Sequence, residues 1–369
     1  MINWQNALRR VWDGDYKSWT MFPFFILLFV LSLPYRAVAR CRNLLYDSGI
    51  LPSKKLPCRV VSIGNITTGG TGKTPTVIML AIMLKAAGYR PAVLSRGYGR
   101  KNTKVIKIVS DGRNIRTDHD EAGDEAFLIA VMLPEIPIVV GSDRYLAGRR
   151  AIEEFSADIL ILDDGFQHRR LYRDIDILLL NHARPVGNSH LLPCGSLREQ
   201  LKALKRADIV LLTGSSPEGN MGPDSPPPLA PFLHDFPNIF YGYHKPLKVI
   251  SGKKDSLPPD WLKGKKIYAF AGIGAPLSFS STIESLGGNL TGFLSFSDHH
   301  VFTAEDIVTV STEAERLHAE IILTTEKDGV RLRNFPDFLE DIFLLSIEMS
   351  IIGRSEAFYS LIRQKLAAS

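Results

Sequence analysis

Short uninterrupted apolar runs alternate along this chain with longer segments whose apolar positions recur at helical spacing. "RVVSIGN" (59–65), "RPAVLSRGY" (90–98), "IPIVVG" (136–141), "ADILILDDG" (157–165), "IDILLLN" (175–181) and "ADIVLLTG" (207–214) read as strands. Between them "PTVIMLAIMLKAAG" (75–88), "HDEAGDEAFLIAVMLP" (119–134) and "DRYLAGRRAIEEF" (143–155) read as helices. Strands apolar on both faces and separated by helices predict an α/β fold, a parallel sheet flanked by helices. After a Gly-, Ser- and Pro-rich stretch at 214–231 a second set follows: strands in 265–274, 291–300, 320–328 and 342–349, with helices near 276–287 and 303–318. That set predicts a second, smaller α/β lobe completing a two-lobed cleft. The division expected is an anchor over 1–46, a nucleotide-binding core over 47–214, a linker over 215–245 and a C-terminal lobe over 246–369.

The anchor is read from "WTMFPFFILLFVLSLPY" (19–35), which has no charge, contains Pro23 and closes at Pro34. A spanning helix needs about 20 apolar residues, about 17 at the least. Pro, Tyr and Arg follow the run where a cleaved signal would have small residues. Arg9, Arg10 and Lys17 precede it and Arg36, Arg40 and Arg42 follow it, so charge gives no orientation. The reading is an N-terminal helix that inserts into one leaflet or just spans, with basic flanks suited to anionic head groups. Among 369 residues the formal charge of +5 is spread without a basic run, which excludes a nucleic-acid arm and weakly favours an anionic partner. Cys41, Cys58 and Cys194 are far apart and fit a reducing compartment without zinc or a disulfide framework.

Chemistry concentrates first in "GNITTGGTGKTP" (64–75), placed between a strand and a helix. Gly72, Lys73 and Thr74 match the end of the phosphate-loop (P-loop) pattern, while Thr67 stands at its first glycine position. Gly69 and Gly70 let the backbone turn its N–H groups inward, and the following helix aims its positive end at the same anion. Thr67, Thr68, Gly69, Gly70, Thr71, Gly72, Lys73 and Thr74 are therefore the expected nucleotide-binding residues. Lys73 would neutralise the β and γ phosphates of ATP and Thr74 would hold Mg²⁺.

"ADILILDDG" ends in Asp163 and Asp164, carboxylates at a strand end placed to organise magnesium or its water shell. "EAGDEAF" puts Glu121 and Glu125 on one helix face with Asp124 adjoining; a solvated acidic turn is the competing reading. In "FSDHHVFT" (296–303) two adjacent histidines point apart, so they share no metal, but one can tune a carboxylate base. "LLPCGSLREQ" and "SDRYLAGRR" supply arginines for a substrate phosphate or for surface ion pairs.

Taken in order, "GNITTGGTGKTP", "LSRGYGR", "EAGDEA", "SDRYLAG", "LDDGFQHRRLYRDIDILLL", "LLPCGSLREQL", "FSDHHVFT" and "TTEKD" resemble the tetraacyldisaccharide 4′-kinase family, the inner-membrane lipid A kinases of Gram-negative bacteria. The likeness runs over nearly the whole chain. It implies transfer of the γ-phosphate of ATP, with Mg²⁺, to the 4′-hydroxyl of a lipid A disaccharide 1-phosphate precursor. The reaction would take place on the cytoplasmic side of the inner membrane, among its lipids, with no nucleic acid and no obligate protein partner. The resemblance makes Asp124 the general base and His299 its partner. It places Asp163 and Asp164 near the metal and the base, and Arg144 and Arg198 against the phosphorylated sugar. Glu125 and Glu199 join Thr74 and Asp163 in the metal set. A carboxylate among phosphates should have a raised pKa, which suits a base at neutral pH. The chain departs from the family at Cys194 and Ser196, where alanine and proline are common, and in its proline-rich 223–231.

Rival readings are a membrane-surface ATPase of the deviant loop type and a nucleotide-binding scaffold without transfer chemistry. The first carries a lysine before Gly-Gly where this chain has Thr68. The second has no use for Asp124 or His299.

Overall fold

The computed structural model describes residues 4–12, 14, 21–100, 102–215, 229, 233, 236–253 and 255–368. The first residues of the apolar run, and all of the proline-rich 223–231 except Leu229, lie outside the described residues.

The chain begins with helices α1 (Trp4–Trp12) and α2 (Phe22–Asp47). Then come β1 (Arg59–Asn65), α3 (Lys73–Ala86), β2 (Pro91–Ser95), β3 (Lys107–Asp111), α4 (His119–Ala122), α5 (Asp124–Met132) and β4 (Pro137–Val140). After α6 (Arg144–Phe155) follow β5 (Ile159–Asp163), β6 (Ile175–Asn181), β7 (Ile209–Thr213), β8 (Ile239–Ser251) and β9 (Ser256–Leu257). The last elements are β10 (Lys266–Ala271), α7 (Pro276–Ser285), β11 (Asn289–Ser295), α8 (Ala304–Arg316), β12 (Ile321–Thr325), α9 (Glu326–Arg331), α10 (Pro336–Asp341), β13 (Phe343–Ile351) and α11 (Ser355–Ala368).

By contacts the chain divides into two compact units, residues 1–95, 143–243 and 350–369 forming one, and 96–142 with 244–349 the other. Periodicity along the sequence does not report this interleaving. In the first unit β1 lies between β5 and β6, with β2 beyond β5 and β7 then the start of β8 beyond β6, every pair parallel. All five residues of β2, β5 and β7 are buried, as strands covered on both faces require. Each fully buried Leu or Ile contributes about 1.5–3 kcal/mol. The central strand β1 therefore delivers its carboxyl end to the crevice where the strand order reverses, the usual ligand position in such sheets.

In the second unit β10 is flanked by β11 and β12, and β12 by β13, again parallel. β3 and β4 pair antiparallel, a departure from the all-parallel expectation. The helix expected over 119–134 is two helices, α4 and α5, interrupted at Gly123 with φ 84°. A Cβ at Gly123 would collide with the carbonyl oxygen of Tyr98 and lie 3.0 Å from the carbonyl carbon of Gly97, so only glycine fits. The break puts Asp124 at the first position of α5 instead of mid-helix.

α2 does not close at Pro34. It runs on to Asp47 because its C-terminal half is tied to the first unit: Asn43 Nδ2 donates to Glu199 and Arg169 Nη2 to Asp47 at 2.8 and 2.7 Å. Its N-terminal half stays largely uncovered, with Leu27 and Val30 more than half exposed. Its mean hydropathy reaches 1.8 over the most apolar 18 residues, long and apolar enough to cross a membrane.

Candidate active site

The loop after β1 is shaped by two left-handed glycines, Gly69 at φ 105° and Gly72 at φ 75°, the latter capping α3. It is fastened from three sides. Asn65 Nδ2 donates to Thr71 Oγ1 at 2.9 Å and Thr213 Oγ1 donates to the Thr71 carbonyl at 3.0 Å. The segment 196–198 runs alongside, Thr68 N donating to the Ser196 carbonyl at 2.8 Å and Arg198 N to that of Ile66 at 2.7 Å. The N–H groups of the first turn of α3 have no intrahelical acceptor and carry the positive end of the helix dipole. Thr67 to Thr74 thus form one turn at the positive end of α3. Gly64 lets β1 approach the turn after β5, since a Cβ there would lie 2.7 Å from Phe166 N and Cβ.

Three charges sit at this turn. Lys73 Nζ is 3.7 Å from Asp164 Oδ1, and Arg198 Nη1 lies 2.8 and 3.1 Å from the two Asp164 oxygens. Asp164 adopts φ 51°, a left-handed conformation that aspartate tolerates better than most residues. Burial raises its pKa, but Lys73, Arg198 and Arg144 outweigh this and hold it below the usual carboxylate range. Asp163 at the end of β5 is buried and its Oδ2 accepts from Ser95 Oγ at 3.0 Å. Arg144, buried at the start of α6, acts on Asp164 through its charge.

Glu199, expected in the metal set, is paired within the protein. It is fully buried, and Arg206 bonds both its oxygens at 2.9 and 3.0 Å while Asn43 Nδ2 adds a third bond. Burial alone would raise its pKa; Arg206, Asn43 and Arg42 hold it low. It ties α2 to the rest of the first unit. Removing one partner of a buried pair typically costs about 3–5 kcal/mol. Glu199→Ala should therefore lower the denaturant midpoint markedly, and an unchanged midpoint would contradict this structural role.

In the second unit Asp124 and His299 come together across 175 positions of sequence as a carboxylate–imidazole pair, Nδ1 to Oδ2 3.7 Å. Arg331 Nε donates to the same Oδ2 at 2.9 Å. His299 and Arg331 together hold the Asp124 carboxyl at about 2 against the opposing effect of burial, in the absence of the phosphate charge that would raise it. Glu125 faces Lys327 Nζ at 3.7 Å, and Lys327 also faces Asp298 at 3.6 Å. Its carboxylate is thus paired with an ammonium. Among the described residues no group of three His, Cys, Asp or Glu side chains could hold a metal.

Sequence reasoning missed Arg331, Lys327 and the Ser196–Arg198 backbone clip. Lys327 lies within "TTEKD", where only the motif as a whole is informative; Arg331 follows Asp328 by one helical turn, a spacing readable only once α9 is known. The clip uses backbone atoms, which leave no side-chain signature.

The family described as Tetraacyldisaccharide-1-P 4′-kinase matches residues 24–367. Tetraacyldisaccharide 4′-kinase of Syntrophus aciditrophicus is 47% identical over 360 residues, covering 95% of this chain and 96% of that protein. The protein of the same name from Pelobacter propionicus is 40% identical over 329 residues, 88% of each chain. The crystal structure of LpxK from Aquifex aeolicus in complex with ATP superposes with TM-score 0.73 at 35% identity, covering 93% of this chain and 99% of that one.

Proposed function

The chain belongs to the tetraacyldisaccharide-1-P 4′-kinase family, and on that premise we propose that it moves the γ-phosphoryl group of ATP to the 4′-hydroxyl of a lipid A disaccharide 1-phosphate precursor. The phosphate loop and first turn of α3 hold the β and γ phosphates, and Lys73 offsets their charge. The bond between the γ-phosphorus and the oxygen of ADP breaks as the bond from O4′ to phosphorus forms, and Asp124 takes the hydroxyl proton. A sugar hydroxyl is a poor nucleophile at neutral pH, and a positioned base contributes typically ~10²–10⁴ in rate. The observation that carries this reading beyond nucleotide binding is the Asp124–His299 pair, for which a scaffold has no use.

Thr74 and Asp163 are the oxygen donors suited to Mg²⁺. Such an ion takes one or two protein ligands and completes its shell with water and phosphate oxygens, so the lack of a larger acidic cluster among the described residues fits. When bound it would neutralise phosphate charge. Arg144 and Arg198 lie close enough to Asp164 to act on its charge, and they would orient the anionic sugar phosphate.

The exposed apolar face of α2 supports attachment to the inner membrane, with the rest of the chain on the cytoplasmic side and lipids as its surroundings. Deleting residues 1–36 should release the protein only partly, because the acylated substrate itself needs an apolar surface. The same deletion removes Tyr35, whose hydroxyl donates to the Arg198 carbonyl at 2.9 Å, so ATP binding should survive but weaken. Complete pelleting of the truncated protein with membranes in high salt would contradict the anchor.

To separate kinase from ATPase, γ-labelled ATP is incubated with the protein, with and without the lipid acceptor. The proposal expects label in lipid and little inorganic phosphate. Label released as phosphate at the same rate in both would favour the ATPase reading.

A further inference from the structure

Asp124 and His299 are joined by a third side chain. Arg331 is almost wholly buried, and its guanidinium divides its bonds between the fold and the pair. Nη1 donates to the Gly272 carbonyl at 2.7 Å and to Asp328 Oδ1 at 3.1 Å. Asp328 is fixed in turn, its Oδ2 accepting from Gly272 N at 3.1 Å and Thr325 Oγ1 at 2.7 Å. The other side of the guanidinium faces the pair: Nε reaches Asp124 Oδ2 at 2.9 Å and Nη2 reaches His299 Nδ1 at 3.2 Å.

A guanidinium offers five N–H donors and no acceptor. His299 Nδ1 must therefore accept in this contact, which leaves the ring proton on Nε2. Nδ1 also stands 3.7 Å from Asp124 Oδ2, farther than either contact to Arg331, so the guanidinium is the closer link between the two groups. His299 is itself pinned in a left-handed backbone conformation, φ 61°, which limits where its ring can go.

We propose that Arg331 is a positioning residue of the phosphoryl transfer, fixing the Asp124 carboxylate and the Nε2–H tautomer of His299 in one arrangement. Its bonds go to Gly272, Asp328, Asp124 and His299, so it acts through the pair. The inference rests on Asp124 being the base. A purely structural arginine would be satisfied by Gly272 and Asp328 alone; Nε and Nη2 are committed to the pair.

The test is a mutant cycle on the full-length enzyme, with kcat, KM for ATP and thermal midpoint measured for R331Q, R331K, D124N and the double variants. A misplacement of the order of an ångström costs about 10²-fold in rate, so R331Q should lose about that in kcat with KM for ATP unchanged. R331K keeps the charge but presents one nitrogen where the fork presents two, and should lose about 10-fold. In the D124N background either change should alter kcat by less than about 3-fold, because the partner it acts through is gone. If R331Q does not fold, R331K decides. Wild-type kcat in R331K and R331Q, or the same fold loss in D124N as in the wild type, overturns the inference. Wild-type kcat in D124N alone would instead overturn the assignment of the base.

Discussion

Asp124→Asn is expected to lower kcat by roughly 10²–10⁴-fold with little change in KM for ATP, because it keeps size and hydrogen-bonding reach but cannot accept a proton. His299→Ala should give a loss of the same kind. If the two act as a unit, the double variant should be far less impaired than the product of the single effects. The pH dependence has a definite sign. Asp124 is held at about 2 by His299 and Arg331, so it stays ionised until the pH falls well below the usual carboxylate range. In kcat/KM, which reports the free enzyme, no acid limb from Asp124 should appear between about pH 5 and 8. Bound phosphates add negative charge and raise the value, so kcat should show an acid limb at higher pH than kcat/KM, and Asp124→Asn should abolish it. An Asp124→Asn enzyme with wild-type kcat and an unchanged limb would move the base elsewhere, with Asp164 the first alternative.

Lys73→Ala should come close to abolishing transfer while ATP still binds weakly. Cations that neutralise a transferring phosphoryl group are worth about 10³–10⁵ in rate, and the rest of the loop from Thr67 to Thr74 carries no other cation. The fold should survive, since Asp164 keeps its closer partner Arg198 at 2.8 Å when the 3.7 Å contact to Lys73 is lost. Turnover and thermal midpoint measured on the same preparation check both parts. Normal turnover would remove the phosphate loop from the mechanism.

Local chemistry was legible in the sequence wherever one segment carries the whole signal. The loop from Thr67 to Thr74 needs only a strand, glycines and a helix start, and all are contiguous. The strands of the first unit were legible because burial on both faces leaves unbroken apolar runs such as "ILILD". The break at Gly123 was not, since the helical spacing of apolar residues continues through it and only the close approach of Tyr98 demands it. The protein partners of Glu199 were not legible either: the resemblance set it near the metal, and its bond to Asn43 spans 156 positions of sequence. Arg331 acts through contacts 207 and 32 positions away, which no local pattern encodes.

The central claim is that this chain phosphorylates a specific hydroxyl of a lipid disaccharide. Purified protein, ATP, Mg²⁺ and tetraacyldisaccharide 1-phosphate are incubated together, and the lipid is analysed by mass and by phosphorus–proton NMR correlation, with ADP quantified in parallel. The account predicts a bisphosphorylated lipid whose new phosphate couples to the 4′ proton, formed one for one with ADP and missing in Asp124→Asn at the same protein concentration. ADP formed with the lipid recovered unchanged, or the new phosphate at another position, would contradict it.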